Sequence, residues 1–322
     1  MMIKLLLLFT FLLTTAANAT DAYKPNSGPL DVVVADQVVI DEDNRALALR
    51  VAYPHSGGPY PVVVLSHGGG CVGGSYSVVG DHWVSHGYVV IQPTHPDSKS
   101  TGFDMAKVEP RMMEGIIRQR MSDMSLVLDH LSDIESQTPA LAGKIDYETF
   151  VAAGHSMGAA TTLSVTGMVI ENPFSRQKIE SSEGRFAAAL LLSEPGHNPT
   201  LPGKPWRSIT IPTFVYTGTD DYGSESRDNS NIPFQYKMVS EIQDGSTDKH
   251  YLWVEGVNHY LSGGWCRAPL EESYDREAVA ILNGVSTAFL DAYAKSNQAA
   301  LTFLRSNNLP ESAGSRPNLS QP

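Results

Sequence analysis

The sequence predicts an α/β fold: a mostly parallel central sheet with helices on both faces and an N-terminal antiparallel hairpin. Three observations carry this. From residue 61 onward, short apolar runs alternate with helix-length segments, as in a parallel sheet covered on both sides. Glycine-rich or acid-bearing loops follow several of these runs, at the edge where such sheets bind ligands. Before residue 61, Val32 to Ile40 and Ala46 to Tyr53 are β-rich and flank the polar Asp41-Glu42-Asp43-Asn44-Arg45, which reads as a hairpin.

The chain has 322 residues and a formal charge of −12. That length can bury one large core, and residues 20–305 are expected to form a single domain. Met1-Met2-Ile3-Lys4, the apolar Leu5 through Leu13 and the Ala17-Asn18-Ala19 pattern predict a signal peptide over residues 1–19, cleaved after Ala19. The apolar block falls far short of the ~20 residues of a membrane span. The expected location is therefore the periplasm or the medium, with no integral membrane association. An acidic surface disfavours nucleic acid as a partner. The polar residues 306–322 are expected to form a mobile tail.

Pro61 to Ser66 is a strand buried on both faces, and it stops in the glycine-rich His67-Gly68-Gly69-Gly70-Cys71-Val72-Gly73-Gly74. Tyr76 to His86 reads as helix and Tyr88 to Gln92 as strand. Over Glu109 to Glu135 a long helix places Met113, Ile116, Ile117, Met124, Val127, Leu128 and Leu131 on one face, with Arg118, Asp123 and Asp129 away from it. Strand residues up to Ala153 lead into Gly154-His155-Ser156-Met157-Gly158, and helix follows to about Ile170. Phe186 to Leu192, Pro212 to Thr217 and His250 to Val254 complete the strands. Helices are expected at Phe234 to Ile242 and from Glu272 to Leu304.

A strand entering Gly-x-Ser-x-Gly and leaving as helix puts a serine on a strained turn, its Oγ lifted above the sheet edge. Ser156 is therefore the candidate nucleophile. Its base should be a histidine at the same edge. His55, His82, His86 and His130 suit surface or packing roles, and His250 begins a strand at the opposite edge. His155 adjoins the serine but should diverge from it, while His95 and His197 lie on loops at the correct edge. His259, which follows the last strand in Gly-x-Asn-His-Tyr, is the best placed. Asp220, Asp221 and Glu194 could each orient it, and Asp221 is favoured. An oxyanion needs two prearranged donors. Met157 N–H, directly after the serine, is one; Gly69, with Gly68 next, is the other. His67 more plausibly braces that loop than performs chemistry.

Ser66-His67-Gly68-Gly69-Gly70, Ser85-His86-Gly87-Tyr88-Val89-Val90, Met121-Ser122-Asp123, Gly154-His155-Ser156-Met157-Gly158 and Asn258-His259-Tyr260 occur in an order that resembles one family. It is the α/β-hydrolases called predicted dienelactone hydrolases, which are similar to platelet-activating-factor acetylhydrolases and more distantly to cutinases. The resemblance implies an α/β-hydrolase fold and a Ser156–His259–Asp221 triad. Asp221 stands three residues after Gly218, where the family carries its acid, and Gly69 follows the His-Gly pair that precedes the family's second oxyanion donor. Dienelactone hydrolases themselves use a cysteine nucleophile, so the resemblance does not carry that activity.

The expected chemistry is hydrolysis of small carboxylic esters through an acyl-enzyme, on short acyl chains. A polyester or lipid-ester hydrolase, an amidase or peptidase, and a non-catalytic binding protein are the alternatives. Trp206, Trp265 and Tyr260 could line the site or simply pack its loops. Cys71 and Cys266 flank two of the site loops in a compartment where disulfides persist, and they are expected to be bonded. No Cys-x-x-Cys spacing occurs, and no metal or other cofactor is expected.

Overall fold

Asp41 turns the chain between its first two strands. Its Oδ1 accepts from the N–H groups of Asp43 and Arg45 at 3.0 and 2.8 Å, and Asn44 adopts φ 61°. This is the local side-chain bonding that favours Asp and Asn in turns. It joins β1 (Val32–Ile40) to β2 (Ala46–Pro54) as an antiparallel hairpin. The computed structural model describes residues 19–109, 112–171, 178–179, 182–193, 208–221, 248–266 and 274–321. The greater part of the expected signal peptide, the helix expected at residues 234–242, and Glu194, His197 and Trp206 lie outside them.

β2 lies antiparallel to β4 (Val89–Thr94), which pairs in parallel with β3 (Tyr60–Ser66). Parallel pairing continues through β5 (Ile145–His155), β8 (Phe186–Leu192), β9 (Thr213–Asp220) and β10 (Lys249–Asn258). A short separate pair, β6 (Ile170–Glu171) and β7 (Lys178–Ile179), interrupts the chain order. β11 (Pro317–Ser320) closes the main sheet antiparallel to β10, giving nine strands among the described residues in the order β1-β2-β4-β3-β5-β8-β9-β10-β11.

Alternation along each strand divides the core. Val63, Leu65, Val151 and Ala153 face α1 (Ser77–Ser85) and the C-terminal α5 (Arg276–Ala294). Val62, Val64 and Ala152 face α2 (Met113–Asp129) and α3 (Leu131–Gln137). α4 (Met157–Val165) packs Ala159 and Leu163 on Leu191 and Val215. The strands are continuous apolar runs because both faces are covered. The chain thus has the α/β-hydrolase architecture.

Several expectations are corrected. The long helix over 109–135 is two helices, broken at His130 (φ −103°, ψ 15°). The last helix also divides: Ser296 takes φ 53°, and Asn297 Oδ1 caps α6 (Gln298–Ser306) by accepting from the N–H groups of Ala299 and Ala300. Asparagine favours such caps over a helix interior. Asp123, placed off the apolar face by periodicity, is fully buried. The described part of the 306–322 tail is built into the fold. Leu319 is 5% exposed in β11, and Arg316 bonds Asp275 and Glu277 of the α5 N-terminus. A free β10 edge supplied the ladder partner that a tail viewed alone lacks.

Candidate active site

β5 ends at His155 and α4 begins at Met157, so Ser156 alone makes the turn, at φ 54° and ψ −117°. A non-glycine residue there costs about 1–3 kcal/mol. Two close approaches make it possible. A Cβ on Gly154 would run into the Gly158 carbonyl, and one on Gly158 into the Ser66 carbonyl. Ser156 N–H is seated on β8 through a 3.0 Å bond to the Leu192 carbonyl.

His259 follows β10, and Asn258 forms the turn that presents it: its Oδ1 accepts from the N–H groups of Tyr260 and Ser262, both at 2.9 Å. Asp221 follows β9, where Gly218 is required because a Cβ would strike the Val257 carbonyl. The three side chains meet. His259 Nδ1–H donates to Asp221 Oδ1 at 2.8 Å, leaving Nε2 to accept from the Ser156 hydroxyl at 2.9 Å. Thr217 Oγ1 donates to Asp221 Oδ2 at 2.8 Å. Asp221 is fully buried while 15% of the His259 side chain is exposed, so the carboxylate is out of water and the imidazole edge is reachable. Of the neighbouring aspartates, Asp220 is exposed and accepts from Thr219 Oγ1; Asp221 is the one brought to His259.

The glycine loop after β3 lies alongside. Gly68 N–H donates to Tyr76 Oη at 2.9 Å, so it is committed and unavailable to a ligand. A Cβ at Gly68 would stand 2.9 Å from His155 Nδ1 and 3.2 Å from Tyr76 Oη, which is why this position is glycine. No acceptor engages Gly69 N–H among the described residues, and Met157 N–H opens α4, where main-chain donors lack helical partners. Cys71 and Cys266 are bonded, Cα–Cα 5.2 Å, which ties the glycine loop to the loop bearing His259.

His155 diverges from Ser156, as expected. Burial, reinforced by His259, holds its pKa well below the usual imidazole value. Trp265 does not line a cleft. It is fully buried, its ring 4.9 Å from that of His155, and its Nε1–H donates to the His259 carbonyl at 3.1 Å. Loop packing therefore describes it correctly. Tyr260 is 37% exposed and stands edge-on to His259 with ring centroids 5.2 Å apart.

A second Ser–His–Asp arrangement lies beneath the glycine loop. Ser66 Oγ meets His95 Nε2 at 2.8 Å, and His95 Nδ1 meets Asp123 Oδ2 at 2.8 Å. All three residues are fully buried, so no substrate reaches Ser66, and His95 is a packing residue. The adjacent Arg120–Asp97 pair is also buried. Sequence reasoning missed Tyr76, Asp97 and Arg120. The available signal was Arg120 itself, three residues after Ile117 and four before Met124 on the apolar face of α2.

Residues 19–174 match the chlorophyllase family model. That stretch includes the glycine loop and Ser156 but ends before Asp221 and His259. The chain is 24% identical to cutinase est2 of Thermobifida alba over 210 residues, which is 65% of this chain and 56% of that protein. It is 24% identical to the platelet-activating factor acetylhydrolase of Cavia porcellus over 274 residues, 74% of this chain and 58% of that one. It is also 24% identical to cutinase 1 of Thermobifida cellulosilytica over 250 residues, 76% and 77%. The chain thus spans somewhat more than half the length of the first two. With the nine-stranded sheet and the serine turn, these matches show a chain with the α/β-hydrolase fold that is similar to serine esterases of that fold, at low identity.

Proposed function

We propose that the protein is an exported serine hydrolase that cleaves carboxylic esters through a Ser156–His259–Asp221 triad. The observation that carries the reading is the unbroken hydrogen-bond relay from the buried Asp221 carboxylate through His259 to Ser156 Oγ. A serine hydroxyl becomes nucleophilic when a base accepts its proton. His259 Nε2 takes the Oγ proton as Oγ attacks the ester carbonyl, and Asp221 holds the tautomer and stabilises the imidazolium. Met157 and Gly69 N–H groups receive the oxyanion. The alcohol leaves with the proton from His259, and water then cleaves the acyl-enzyme by the same steps.

Short acyl chains are the proposed substrates, in keeping with the acetylhydrolase among the similar proteins, and Tyr260 is the proposed lining residue. Polyesters, to which the cutinases among the relatives point, are the second reading. Export is supported by the Lys4, Leu5-to-Leu13 and Ala17-Asn18-Ala19 features and by the Cys71–Cys266 bond, which persists in oxidising compartments. The N-terminus of the mature protein should be Thr20.

The test is hydrolysis of p-nitrophenyl esters from acetyl to palmitoyl, wild type beside Ser156→Ala, with peptide mapping after organophosphonate labelling. Activity confined to short chains, a loss of about 10⁴-fold or more in the variant, and label on Ser156 but not Ser66 are expected. Activity rising with chain length selects the second reading. Substantial turnover in Ser156→Ala sinks the mechanism.

A further inference from the structure

Two successive peptide planes of the glycine loop are gripped from both sides. In the His67–Gly68 peptide, the carbonyl accepts from Arg120 Nη1 at 2.6 Å while the N–H donates to Tyr76 Oη at 2.9 Å. In the Gly68–Gly69 peptide, the carbonyl accepts from His67 Nδ1–H at 2.7 Å, Cys71 N–H at 3.1 Å and Arg120 Nη2 at 3.4 Å. A trans peptide is planar with its N–H opposed to its C=O. Holding the Gly68 carbonyl inward therefore turns Gly69 N–H outward.

Both grips are themselves anchored. Arg120 Nε and Nη2 donate to the two Asp97 carboxylate oxygens at 2.9 and 2.7 Å, and both residues are buried. The planar fork leaves Nη1 no freedom to swing away. On the other side the proton positions follow from the partners. His155 Nε2 faces the His259 carbonyl at 2.8 Å and must donate to it, so Nδ1 of the neutral ring accepts from Tyr76 Oη–H at 2.8 Å. A Tyr76 oxygen that donates to His155 keeps a lone pair for Gly68 N–H. Burial also pushes the Tyr76 hydroxyl pKa up, which keeps that proton in place.

We propose that Arg120 and Tyr76 are positioning residues that clamp the two peptide planes from opposite sides and present Gly69 N–H to the oxyanion, with His155 joining the clamp to the loop that carries the base. The proposal rests on the esterase reading above. Neither side chain touches substrate; each acts through the main chain. Donors aimed before the reaction need no reorganisation when charge develops.

The test compares an ester with its thionoester, whose sulfur is a poorer hydrogen-bond acceptor, in wild type, Tyr76→Phe and Arg120→Lys. Tyr76→Phe removes one oxygen and preserves the ring; Arg120→Lys keeps a cation for Asp97 and loses the fork. Each variant should lose about tenfold or more in kcat on the ester with KM held. Each should also lose much of the wild-type preference for the ester over the thionoester. A merely structural role lowers both rates together and leaves the preference intact, and that result in both variants overturns the proposal. A change in one variant alone keeps that side of the clamp and overturns the other. If Arg120→Lys does not fold, Tyr76→Phe decides. A wild type that neither hydrolyses the ester nor takes label at Ser156 overturns the esterase reading and the clamp with it.

Discussion

His155 Nε2 donates to the main-chain carbonyl of His259 at 2.8 Å. The residue before Ser156 thus holds the loop that carries His259, and the two rings lie 4.8 Å apart. Trp265 Nε1–H donates to the same carbonyl, so the His259 loop is held at one atom by two buried donors. In the proposed mechanism, these two bonds would fix the distance between His259 and Ser156 on which proton transfer depends.

His155→Phe keeps an aromatic ring and removes the donor to His259. The folded protein should keep its KM while kcat falls by about 10- to 100-fold, since small misplacements of reacting groups cost that much. Steady-state kinetics on a short p-nitrophenyl ester checks this. A kcat equal to that of wild type would show that Trp265 alone is enough to hold the loop.

The neighbouring aspartates should separate cleanly. Asp221→Asn is expected to lower kcat by about 10⁴-fold, because an amide favours the wrong imidazole tautomer. Asp220→Asn, at an exposed position whose carboxylate accepts from Thr219 Oγ1, should leave kcat near the wild-type value. The reverse ranking in a kinetic comparison would remove Asp221 from the triad.

The Cys71–Cys266 bond spans 195 residues. In the chain-entropy account such a crosslink contributes about 4–5 kcal/mol, with delivered values often lower. The Cys71→Ser/Cys266→Ser double variant should therefore melt roughly 10 °C lower. Its kcat should fall as well, because Cys71 lies two residues after Gly69. Calorimetry and kinetics on the same preparation test both halves. An unchanged Tm would show that packing alone holds the two loops together.

Acid should destabilise the fold beyond its effect on activity. Burial holds His67, His95 and His155 well below the ordinary value of 6.5, and lowers His82 and His250 to about 4. The unfolded chain takes up protons near 6.5 while the folded rings stay neutral. The stability they contribute is therefore present above that value and is lost as pH falls toward 4. Each such ring adds a slope of up to ~1.4 kcal/mol per pH unit in that window. Asp123, raised by burial from 3.8 to about 6, works in the opposite direction, as one group against five. Tm should drop steeply between pH 7 and pH 5, and a flat profile would contradict the neutral assignment of these rings.

Much of the architecture was legible because its signals are local. The β1 and β2 limits follow from β-rich runs bounded by turn residues, and the Ser156 turn from small residues two positions to either side. The limits that were misjudged depend on distant partners. The 306–322 segment orders because β10 leaves an edge for Leu319 and because Asp275 and Glu277 await Arg316. Asp123 was misassigned because periodicity places a residue on a face without saying what waits there, and here Arg45 and His95 do.

By itself, the sequence determined the parallel sheet, the serine turn, the candidate base and the short list of acids, since each depends on residue type and near spacing. Only the tertiary structure brought the favoured Asp221 onto His259, committed Gly68 N–H to Tyr76, moved Trp265 into the interior and exposed Ser66–His95–Asp123 as a sealed copy of the same Ser–His–Asp pattern. These outcomes turn on direction and burial. A side chain's chemistry is written in the sequence, but the direction of a peptide N–H, and whether water or substrate can reach a hydroxyl, are set by residues far away in the chain.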